Sequence, residues 1–533
     1  MPSFDALRQP WIPAENMDGV IQEYGIRGVI ERAHELRCLN DSSPVFLYGM
    51  YRLLIAFLTD ALRPESIDDL LGIYEEGVFP QERIEAYIED CEKDGPCFDL
   101  FDKDRPFLQS AYNDKLDKQE KTVAMLVLDV PTGNNLLHFD HRDEKMQAFS
   151  PATCARGLSS INVFCTADAQ NPSGINGAPP WYVLVRGENL FETLLFNIWL
   201  PHGELPFDDP PIAWRNSAAI VPGREVSRTS YLYGLTWQAR RIKLIPSEPG
   251  QCTYSGGHSE LLVQRVYYQR GWKFAGHALW TDPHTPRVLT EKGTSSMKPR
   301  DGRSAWRDLA PLTLCRHTMP TGSSSKVKAL YRSPEVVNQY VTQWANELVQ
   351  TNPSASSLRV EVFGLATNQA KLLSWVHDQL VIPVAIALSP PKSDLLQAEI
   401  EIVETIGREI KRHISKSTAA GNGTRDKKKK KSAVSESIGL SVEQKFFNEA
   451  RKLLYGILVE DLQKVKEDEE GWRNDAIREW RQHMRDMSRS VFDDALEKSG
   501  TKATDMKTSV SVRREFIRKL SKILAVEEVK PNG

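Results

Sequence analysis

The chain has 533 residues, of which 41% are hydrophobic and 26% charged, and its formal net charge at pH 7 is −3. This length is too great for one hydrophobic core and predicts roughly two to four domains. No run reaches the roughly 18 uninterrupted apolar residues of a membrane span, and the overall charge does not indicate a nucleic-acid-binding protein. The seven cysteines are scattered and form no CxxC motif, which argues against a zinc knuckle or a disulfide framework.

The N-terminal part reads as an irregular mixed domain. Its first stretch, MPSFDALRQPWIPAEN, has no basic region followed by an apolar one, so we expect no signal peptide and a cytoplasmic protein. Residues 1–385 then mix short apolar runs with frequent Gly and Pro. Helical patterns over 42–62 and 189–200 alternate with strand-like runs at 182–187 and 358–365. The pattern predicts a large, loop-rich α+β domain.

Two segments of this domain raise functional questions. A loop-rich region runs from about Val130 to Pro180 and contains PTGNN, HFDHRDEK and NPSGINGAPP. Loops of that length in compact domains are typically functional or disordered. Farther along, GLATNQAKLL leads into KLLSWVHDQL, which reads as a helix. Asn368 and Gln369 then either cap that helix or reach out to hold a ligand.

The texture changes from about Pro390 onward, where proline nearly vanishes and long amphipathic patterns follow one another. They cover roughly residues 393–415, 441–468, 470–497 and 505–526. Four helices of this length predict an antiparallel four-helix bundle over 386–533. The connection between the first two is small, polar and basic, with Lys427 to Lys431 in a row, and predicts a mobile loop.

Known enzyme motifs are absent from the sequence. There is no P-loop, HExxH, GxSxG or dinucleotide fingerprint, and no cofactor is expected. The adjacent His377 and Asp378 suggest one alternative, an HD-type metal-dependent phosphohydrolase; the other interpretation is that they lie on a helix surface. His277 and His284, around TDPHTP, could ligate zinc or belong to a turn with a satisfied histidine. The lack of a convincing constellation favours a protein that is not an enzyme.

Basic residues of the C-terminal part suit nucleic acid better. Arg481, Arg485 and Arg489 recur every four residues and share one helix face. Such a face can contact phosphates, or it can be a solvated face with local ion pairs. Lys427 and Lys428, in the lysine run, are candidates for a further non-specific DNA contact.

Six stretches in order carry a family resemblance. They are PWIPA (10–14), RPFLQS (105–110), FETLLFNIWLP (191–201), YGLTWQARRIKL (233–244), WKFAGHALWTDPHTP (272–286) and GLATNQA (364–370). Together they resemble the CasA family, the large subunit of the type I-E CRISPR surveillance complex called Cascade. The resemblance implies a non-catalytic protein that inspects double-stranded DNA for a protospacer-adjacent motif, the PAM. It also implies help in opening the duplex and recruitment of a separate helicase–nuclease.

The resemblance further implies the partners and the PAM-reading residues. The partners would be crRNA, double-stranded target DNA, and the backbone, small helical and crRNA 5′-end-binding subunits of Cascade. A lysine that reaches the minor groove in this family matches Lys273. A short glycine loop that lies against the groove is matched most closely by SGING, with Gly174 and Gly177. Glycine lets the backbone approach a groove closely because no Cβ intervenes.

The strand-separating element of the family is a glutamine wedge. Its N-Q-A motif matches Asn368, Gln369 and Ala370 without a gap. The resemblance therefore answers the question raised by GLATNQAKLL: Gln369 would insert beneath the PAM, on a turn flanked by its two neighbours.

The loop around PTGNNLLHFDH resembles the family's long L1 loop, which docks near the crRNA 5′ end. Asn135, His138 and Phe139 are the candidates for its contacts. Some family members carry paired cysteines after the WQ motif that could hold zinc, but Cys252 stands alone here, so no metal is predicted. Besides the PAM-reading subunit and the phosphohydrolase, a third hypothesis is a structural scaffold that never touches DNA.

Overall fold

The chain divides into two compact units. The computed structural model describes residues 2–128, 147–167, 171–201, 206–216, 218, 220–275, 280–290, 293–314, 317–320, 328–350, 352–368, 371–419, 425–499 and 503–525. The first unit comprises Met1–Ala305 and Pro311–Val381, and the second comprises Trp306–Ala310 and Ile382–Gly533. The predicted boundary after residue 385 lies a few residues beyond the observed change at Val381. The sequence did not indicate that Trp306–Ala310 groups with the C-terminal helices.

Helices and strands are mixed in the first unit, as the α+β prediction requires. The strands are β1 (Ile12–Asn16), β2 (Ile21–Tyr24), β3 (Leu36–Leu39), β4 (Glu120–Thr122), β5 (Tyr182–Val185), β6 (Glu225–Val226), β7 (Arg240–Ser247), β8 (Gly250–Gln251), β9 (His258–Ser259), β10 (Leu262–Arg270), β11 (Lys273–Phe274), β12 (Arg287–Thr290), β13 (Gly293–Ser296), β14 (His317–Pro320), β15 (Lys328–Arg332), β16 (Ser357–Asn368) and β17 (Lys371–Pro383). The helices of this unit are α1 (Ile26–Glu31), α2 (Pro44–Leu62), α3 (Ile67–Glu76), α4 (Gln81–Glu92), α5 (Pro151–Phe164), α6 (Leu190–Phe196), α7 (Tyr231–Leu235), α8 (Leu309–Thr313, whose first two residues belong to the second unit), α9 (Glu335–Gln339) and α10 (Ala345–Leu348).

The strands form small sheets rather than one large one. In the described residues their orders are β2-β1-β3, β4-β10-β7, β11-β6, β13-β12-β15-β14, β17-β16-β5 and β8-β9. The pairing of β11 with β6 is parallel, whereas β10 pairs antiparallel with both of its neighbours. Many short sheets joined by loops explain the irregular texture of the sequence.

Helix α2 is the core helix of the first unit. It begins with Pro44 at its first turn, where the missing N–H costs no helical bond, and it is followed by Arg63, which adopts the left-handed conformation. Its length and composition would allow it to cross a membrane, but 94% of its apolar window is buried inside the fold. It packs along α5, and its Tyr48 ring stacks on Tyr182 with centroids 4.4 Å apart. Burial within the fold therefore accounts for its apolar character.

The prediction that KLLSWVHDQL forms a helix is wrong. These residues lie in β17, which is hydrogen-bonded to β16. The His377 ring stacks on Phe363 of β16, with centroids 4.9 Å apart, and its Nε2 lies 2.6 Å from Glu361 Oε1. Pairing with a strand that is itself paired to β5 outweighs the local helical pattern, because sheet formation depends on such non-local neighbours.

The second unit contains the helical C-terminal region that the sequence predicts. Its further helices are α11 (Val384–Leu388), α12 (Pro390–Ala419), α13 (Arg425–Leu453), α14 (Glu460–Lys464), α15 (Trp472–Ser499) and α16 (Ala503–Ile523), with a π-helical turn at Leu454–Val459. Between α12 and α16, Lys416 Nζ lies 2.8 Å from Glu515 and Lys519 Nζ lies 3.0 Å from Glu409. Residue numbers rise along one helix as they fall along the other, so these two helices run antiparallel.

The lysine run is helical, which corrects the prediction of a mobile loop. Lys427 to Lys431 lie within α13, which begins at Arg425. Lysine is a good helix former, and no Gly or Pro interrupts the chain between Arg425 and Gly439. Basic composition alone therefore did not prevent helix formation at this position.

Candidate nucleic-acid interface

The SGING glycines form a tight turn between α5 and β5. The Gly177 N–H donates to the Gly174 carbonyl at 3.0 Å, and Gly177 has a φ of +77°, which glycine adopts without a Cβ penalty. A Cβ on Gly177 would have no described neighbour within 4 Å, whereas one on Gly174 would approach the Asn162 carbonyl oxygen to 3.0 Å. Position 177 therefore favours glycine because of its positive φ. Position 174 favours glycine because a Cβ there would crowd the Asn162 carbonyl.

Asn176 ties this turn to a buried ion pair. Its Nδ2 donates to Asp282 Oδ2 at 2.7 Å, and its Oδ1 accepts from Trp280 Nε1 at 2.9 Å. Arg52 Nη2 lies 2.8 Å from the same Asp282 oxygen, and the two side chains are 4% and 1% exposed. Burial alone would raise the pKa of the Asp282 carboxyl. The Arg52 guanidinium and His284 together outweigh that effect and lower this pKa below its ordinary value.

Lys273 lies on the exposed side of β11. The neighbouring Trp272 and Phe274 are buried, so the alternation of a strand turns the lysine outward. Its side chain is 59% exposed, and its Nζ lies 3.8 Å from Glu225 Oε1. An exposed pair at that distance holds the ammonium only weakly. The backbone is fixed, because the Lys273 N–H donates to the Arg224 carbonyl at 2.8 Å. Lys273 is thus a weakly paired cation on an ordered strand.

The predicted wedge lies at the link between β16 and β17. Asn368 is the last residue of β16 and Lys371 the first of β17, so Asn368 does not cap a helix. Gln369 and Ala370, which join the two strands, lie outside the described residues. The strands on either side are hydrogen-bonded neighbours in one sheet.

The candidate L1-loop residues remain predictions. Asn135, His138 and Phe139 fall within 129–146, outside the described residues. The strand β4 and the following short helical turn, Val123–Leu126, precede that segment, and Phe149 beyond it forms a bridge to Val263. Both ends of the segment are therefore anchored in the first unit.

The His377-Asp378 pair does not resemble a metal centre. Both residues lie on β17, and the His377 nitrogen is directed at Glu361. Across the part of the chain that the structure describes, no group of three His, Cys, Asp or Glu residues could hold a metal ion. His377 instead covers the edge of a core that includes Phe363, which is a structural arrangement.

The histidines around TDPHTP do not form a described metal site either. His277 lies outside the described residues, and His284 is fully buried with its Nδ1 3.7 Å from Asp282 Oδ1. Burial lowers the pKa of His284, so its ring is neutral at physiological pH. The Asp282 side chain accepts from the His284 backbone N–H at 3.0 Å, which closes a turn. The motif therefore forms a buried turn that carries Asp282, the partner of Arg52.

The three arginines of α15 differ in their surroundings. Arg481 Nη2 lies 2.6 Å from Glu399 Oε1, and the Glu399 side chain is fully buried. Arg485 donates to Gln482 on the same helix at 3.0 Å, and Arg489 is half-buried. A phosphate at Arg481 would have to compete with an internal carboxylate, whereas at Arg485 it would compete with a neutral amide. Lys427 and Lys428 lie on α13.

Sequence reasoning missed Asn176, Arg52 and Asp282. One signal was present: Arg52 is the lone basic residue within the apolar run PVFLYGMYRLLIAFL. Charged side chains are almost never fully buried without a partner, so a buried carboxylate elsewhere in the chain could have been expected. Nothing in the sequence pattern identifies that carboxylate as Asp282, which lies about 230 positions away.

Comparisons of sequence and of fold both match this chain to CRISPR-associated proteins. Residues 5–491 match the family described as CRISPR-associated protein Cse1. A CRISPR-associated protein CasA/Cse1 from Thermus thermophilus is 26% identical over 539 residues, which cover 98% of each chain. The crystal structure of Cse1 from Acidimicrobium ferrooxidans superposes with a TM-score of 0.73 at 19% identity, covering 98% of this chain and 99% of that one. A chain of a CRISPR RNA-guided surveillance complex gives a TM-score of 0.68 at 18% identity, covering 98% and 100%. Because the family match spans nearly the whole sequence, this protein belongs to the Cse1 family of CRISPR-associated proteins.

Proposed function

We propose that this protein is the non-catalytic large subunit of a type I-E Cascade complex. In this role it recognises the PAM in double-stranded DNA from the minor groove and helps to unwind the target for crRNA pairing. It then recruits a separate helicase–nuclease. Its partners are crRNA and the other Cascade subunits, and it acts in the cytoplasm. The observation that carries the proposal is the exposed Lys273 on β11, whose ammonium is only weakly paired with Glu225.

The chemistry of the minor groove suits these elements. The groove offers mainly acceptors on its base edges, with the guanine amino group as the exception. The Lys273 ammonium is a pure donor, and its weak pairing with Glu225 leaves it able to exchange that partner for a base edge. At the turn, the absence of any described neighbour around the Gly177 Cβ position leaves room for a backbone-close ligand. Such reading is degenerate, so several PAM sequences would be tolerated.

The wedge role of Gln369 is supported by its place in the chain. Separating the first base pair costs a few kcal/mol of stacking per step, which a side chain inserted into the gap can offset. The link between two neighbouring strands is a suitable support, because both strands are held by sheet hydrogen bonds. Gln369 can fill the gap and form hydrogen bonds at the same time, with Asn368 and Ala370 beside it.

Secondary contacts complete the proposal. Asn135, His138 and Phe139 of the L1 loop would face the crRNA end, where an aromatic ring can stack on a base. The cations of the second unit would contact phosphates without sequence preference. Those cations are Arg481, Arg485, Arg489, Lys427 and Lys428. At Arg481 a phosphate would have to compete with Glu399.

The test is target-DNA binding by the assembled complex. Lys273→Ala and Gln369→Ala are compared with wild type on an intact PAM-containing duplex and on one pre-opened beside the PAM. We expect Lys273→Ala to weaken binding of the PAM duplex roughly tenfold, since a good base contact contributes about 1–3 kcal/mol. Gln369→Ala should fail on the intact duplex and recover on the open one. Lys93→Ala is the matched control, because Lys93 is 61% exposed and also lies beside a carboxylate.

Two outcomes would contradict the proposal. If both variants bind like wild type while the complex still assembles, the protein is a scaffold and not the PAM reader. If the Lys93→Ala control weakens PAM binding as much as Lys273→Ala does, only general electrostatic attraction is being measured.

A further inference from the structure

We propose that Asn176 is a positioning residue for PAM recognition: it fixes the glycine turn to the buried Arg52–Asp282 pair and aligns it with the segment that carries Lys273. The inference rests on the proposed function and adds to it a residue that makes no contact with DNA. According to this inference, the relative position of the glycine turn and Lys273 is set by the polar cluster of Asn176, Asp282 and Arg52.

Asp282 is the centre of this cluster. Its Oδ2 accepts from Asn176 and faces Arg52, while its Oδ1 accepts the His284 backbone N–H. A carboxylate can accept several hydrogen bonds at once, and a charged acceptor strengthens each of them. The lowered pKa of Asp282 keeps it ionised across the physiological range.

Arg52 is itself fixed in place. Its Nε donates to the Leu235 carbonyl at 2.8 Å and its Nη2 to the Gly234 carbonyl at 3.3 Å. The guanidinium also lies over the Tyr182 ring, with its Cζ 5.8 Å from the centroid. A buried guanidinium with this many partners cannot shift without leaving some of them unpaired. The acceptor that it presents through Asp282 is therefore rigid.

Asn176 connects that rigid acceptor to both proposed DNA-reading elements. It lies between the two turn glycines, one residue before Gly177. Its Oδ1 accepts from Trp280, which lies seven positions after Lys273. The Trp280 ring is closely packed, because a Cβ on Gly234 would come within 2.2 Å of it. The neighbouring Tyr233 ring lies 5.8 Å from the Trp272 ring, next to Lys273, so packing among described residues joins the turn to the strand that carries the lysine.

Asn176 fits this task better than a charged residue would. The amide supplies a donor for Asp282 and an acceptor for Trp280 from a single group. Its Nδ2 also lies 3.3 Å from the Tyr182 hydroxyl. A carboxylate at position 176 would face Asp282 with like charge, and an alanine would remove the hydrogen bond that each partner makes to this side chain.

The experiment measures PAM discrimination, the ratio of affinities for a PAM duplex and a duplex with a mutated PAM, in the assembled complex. We expect Asn176→Ala to reduce this ratio about tenfold, as for a lost hydrogen bond to a charged group. Binding of single-stranded target should stay at the wild-type level, because strand pairing does not use the turn. Combined with Lys273→Ala, the loss should be smaller than the product of the two single losses, since both act on one aligned unit.

A rescue variant separates positioning from general damage. Asn176→Asp should be worse than Asn176→Ala, because it sets two carboxylates against each other. Asn176→Asp combined with Asp282→Asn exchanges the two groups and restores one amide and one carboxylate at this contact, so discrimination should recover in part. The thermal midpoint of each variant is recorded alongside.

The outcomes distinguish this inference from the proposed function. If Lys273→Ala loses discrimination and Asn176→Ala does not, the positioning role is overturned and the PAM-reading function stands. If neither variant changes discrimination, both fall. If Asn176→Ala weakens duplex and single-stranded target equally, its role is only structural and the inference is overturned.

Discussion

Removing the Asp282 carboxylate should strongly destabilise the first unit. Asp282→Ala leaves the Arg52 guanidinium, 4% exposed, facing neutral described partners, which are the carbonyls of Gly234 and Leu235 and the Tyr48 hydroxyl. Removing one member of a buried pair typically costs about 3–5 kcal/mol, because the remaining charge is uncompensated. The free energy of unfolding is measured by urea titration, followed by tryptophan fluorescence and circular dichroism.

The same pair predicts a pH dependence with a definite sign. The pKa of Asp282 is lowered in the folded protein, so the unfolded state binds its proton at higher pH. The stabilisation is complete above the ordinary aspartate pKa of about 3.9 and is lost as the pH falls from there toward the lowered value. The difference in thermal midpoint between wild type and Asp282→Asn should therefore shrink on acidification below about pH 4.

An exposed pair of similar separation serves as the control. Arg32 Nε lies 2.9 Å from Glu35 Oε2, but both side chains are about half exposed, and Glu35→Ala should cost less than about 1 kcal/mol. Arg52→Met together with Asp282→Ala should be less harmful than the sum of the single changes. The reasoning is refuted if Asp282→Ala costs no more than Glu35→Ala, or if the two buried substitutions are additive.

The remaining predictions concern packing in each unit. Gly234→Ala should cost about 2 kcal/mol or more and lower the thermal midpoint, because its Cβ would lie 2.2 Å from the Trp280 ring. Gly72→Ala, in α3 with open space around it, should instead stabilise by about 0.5–1 kcal/mol; equal effects of the two would contradict the packing argument. In the second unit, Glu399→Ala should cost about 3–5 kcal/mol by urea titration followed by circular dichroism, because it leaves Arg481, 13% exposed, without its carboxylate; a loss below about 1 kcal/mol would show that solvent compensates this arginine.

Local patterns predicted several of the helices. The apolar run over 42–62 becomes α2 at Pro44–Leu62, and the run over 470–497 becomes α15 at Trp472–Ser499. Both patterns depend on side chains three and four residues apart, which the sequence displays directly. The glycine-rich SGING segment was likewise readable as a turn, because turn chemistry is local, whereas Lys273 was singled out only through the family resemblance.

Features that depend on distant partners were not readable. The residues of β17 carry a helix-like pattern, and only their pairing with β16 makes them a strand. The lysine run was interpreted from composition as a loop, although lysine favours helices. The Arg52–Asp282 pair joins residues whose contact depends on the whole fold of the first unit. This buried part of the candidate site therefore could not be predicted without the tertiary structure.

The short segment Trp306–Ala310 has a practical consequence for exchanging domains between relatives. In the second unit, the Trp306 ring lies 6.2 Å from Phe447, and Arg307 Nη2 lies 2.7 Å from Glu404 Oε2 with its Cζ 3.5 Å from the Phe447 centroid. A fragment that begins at residue 386 would lack these five residues. The Phe447 ring would then lose its contacts with Trp306 and Arg307, and Glu404 would lose its ion pair with Arg307. To exchange the C-terminal helices between family members, Trp306–Ala310 would therefore have to be exchanged as well. Because this segment precedes the helices in the chain, it would need a second, separate replacement.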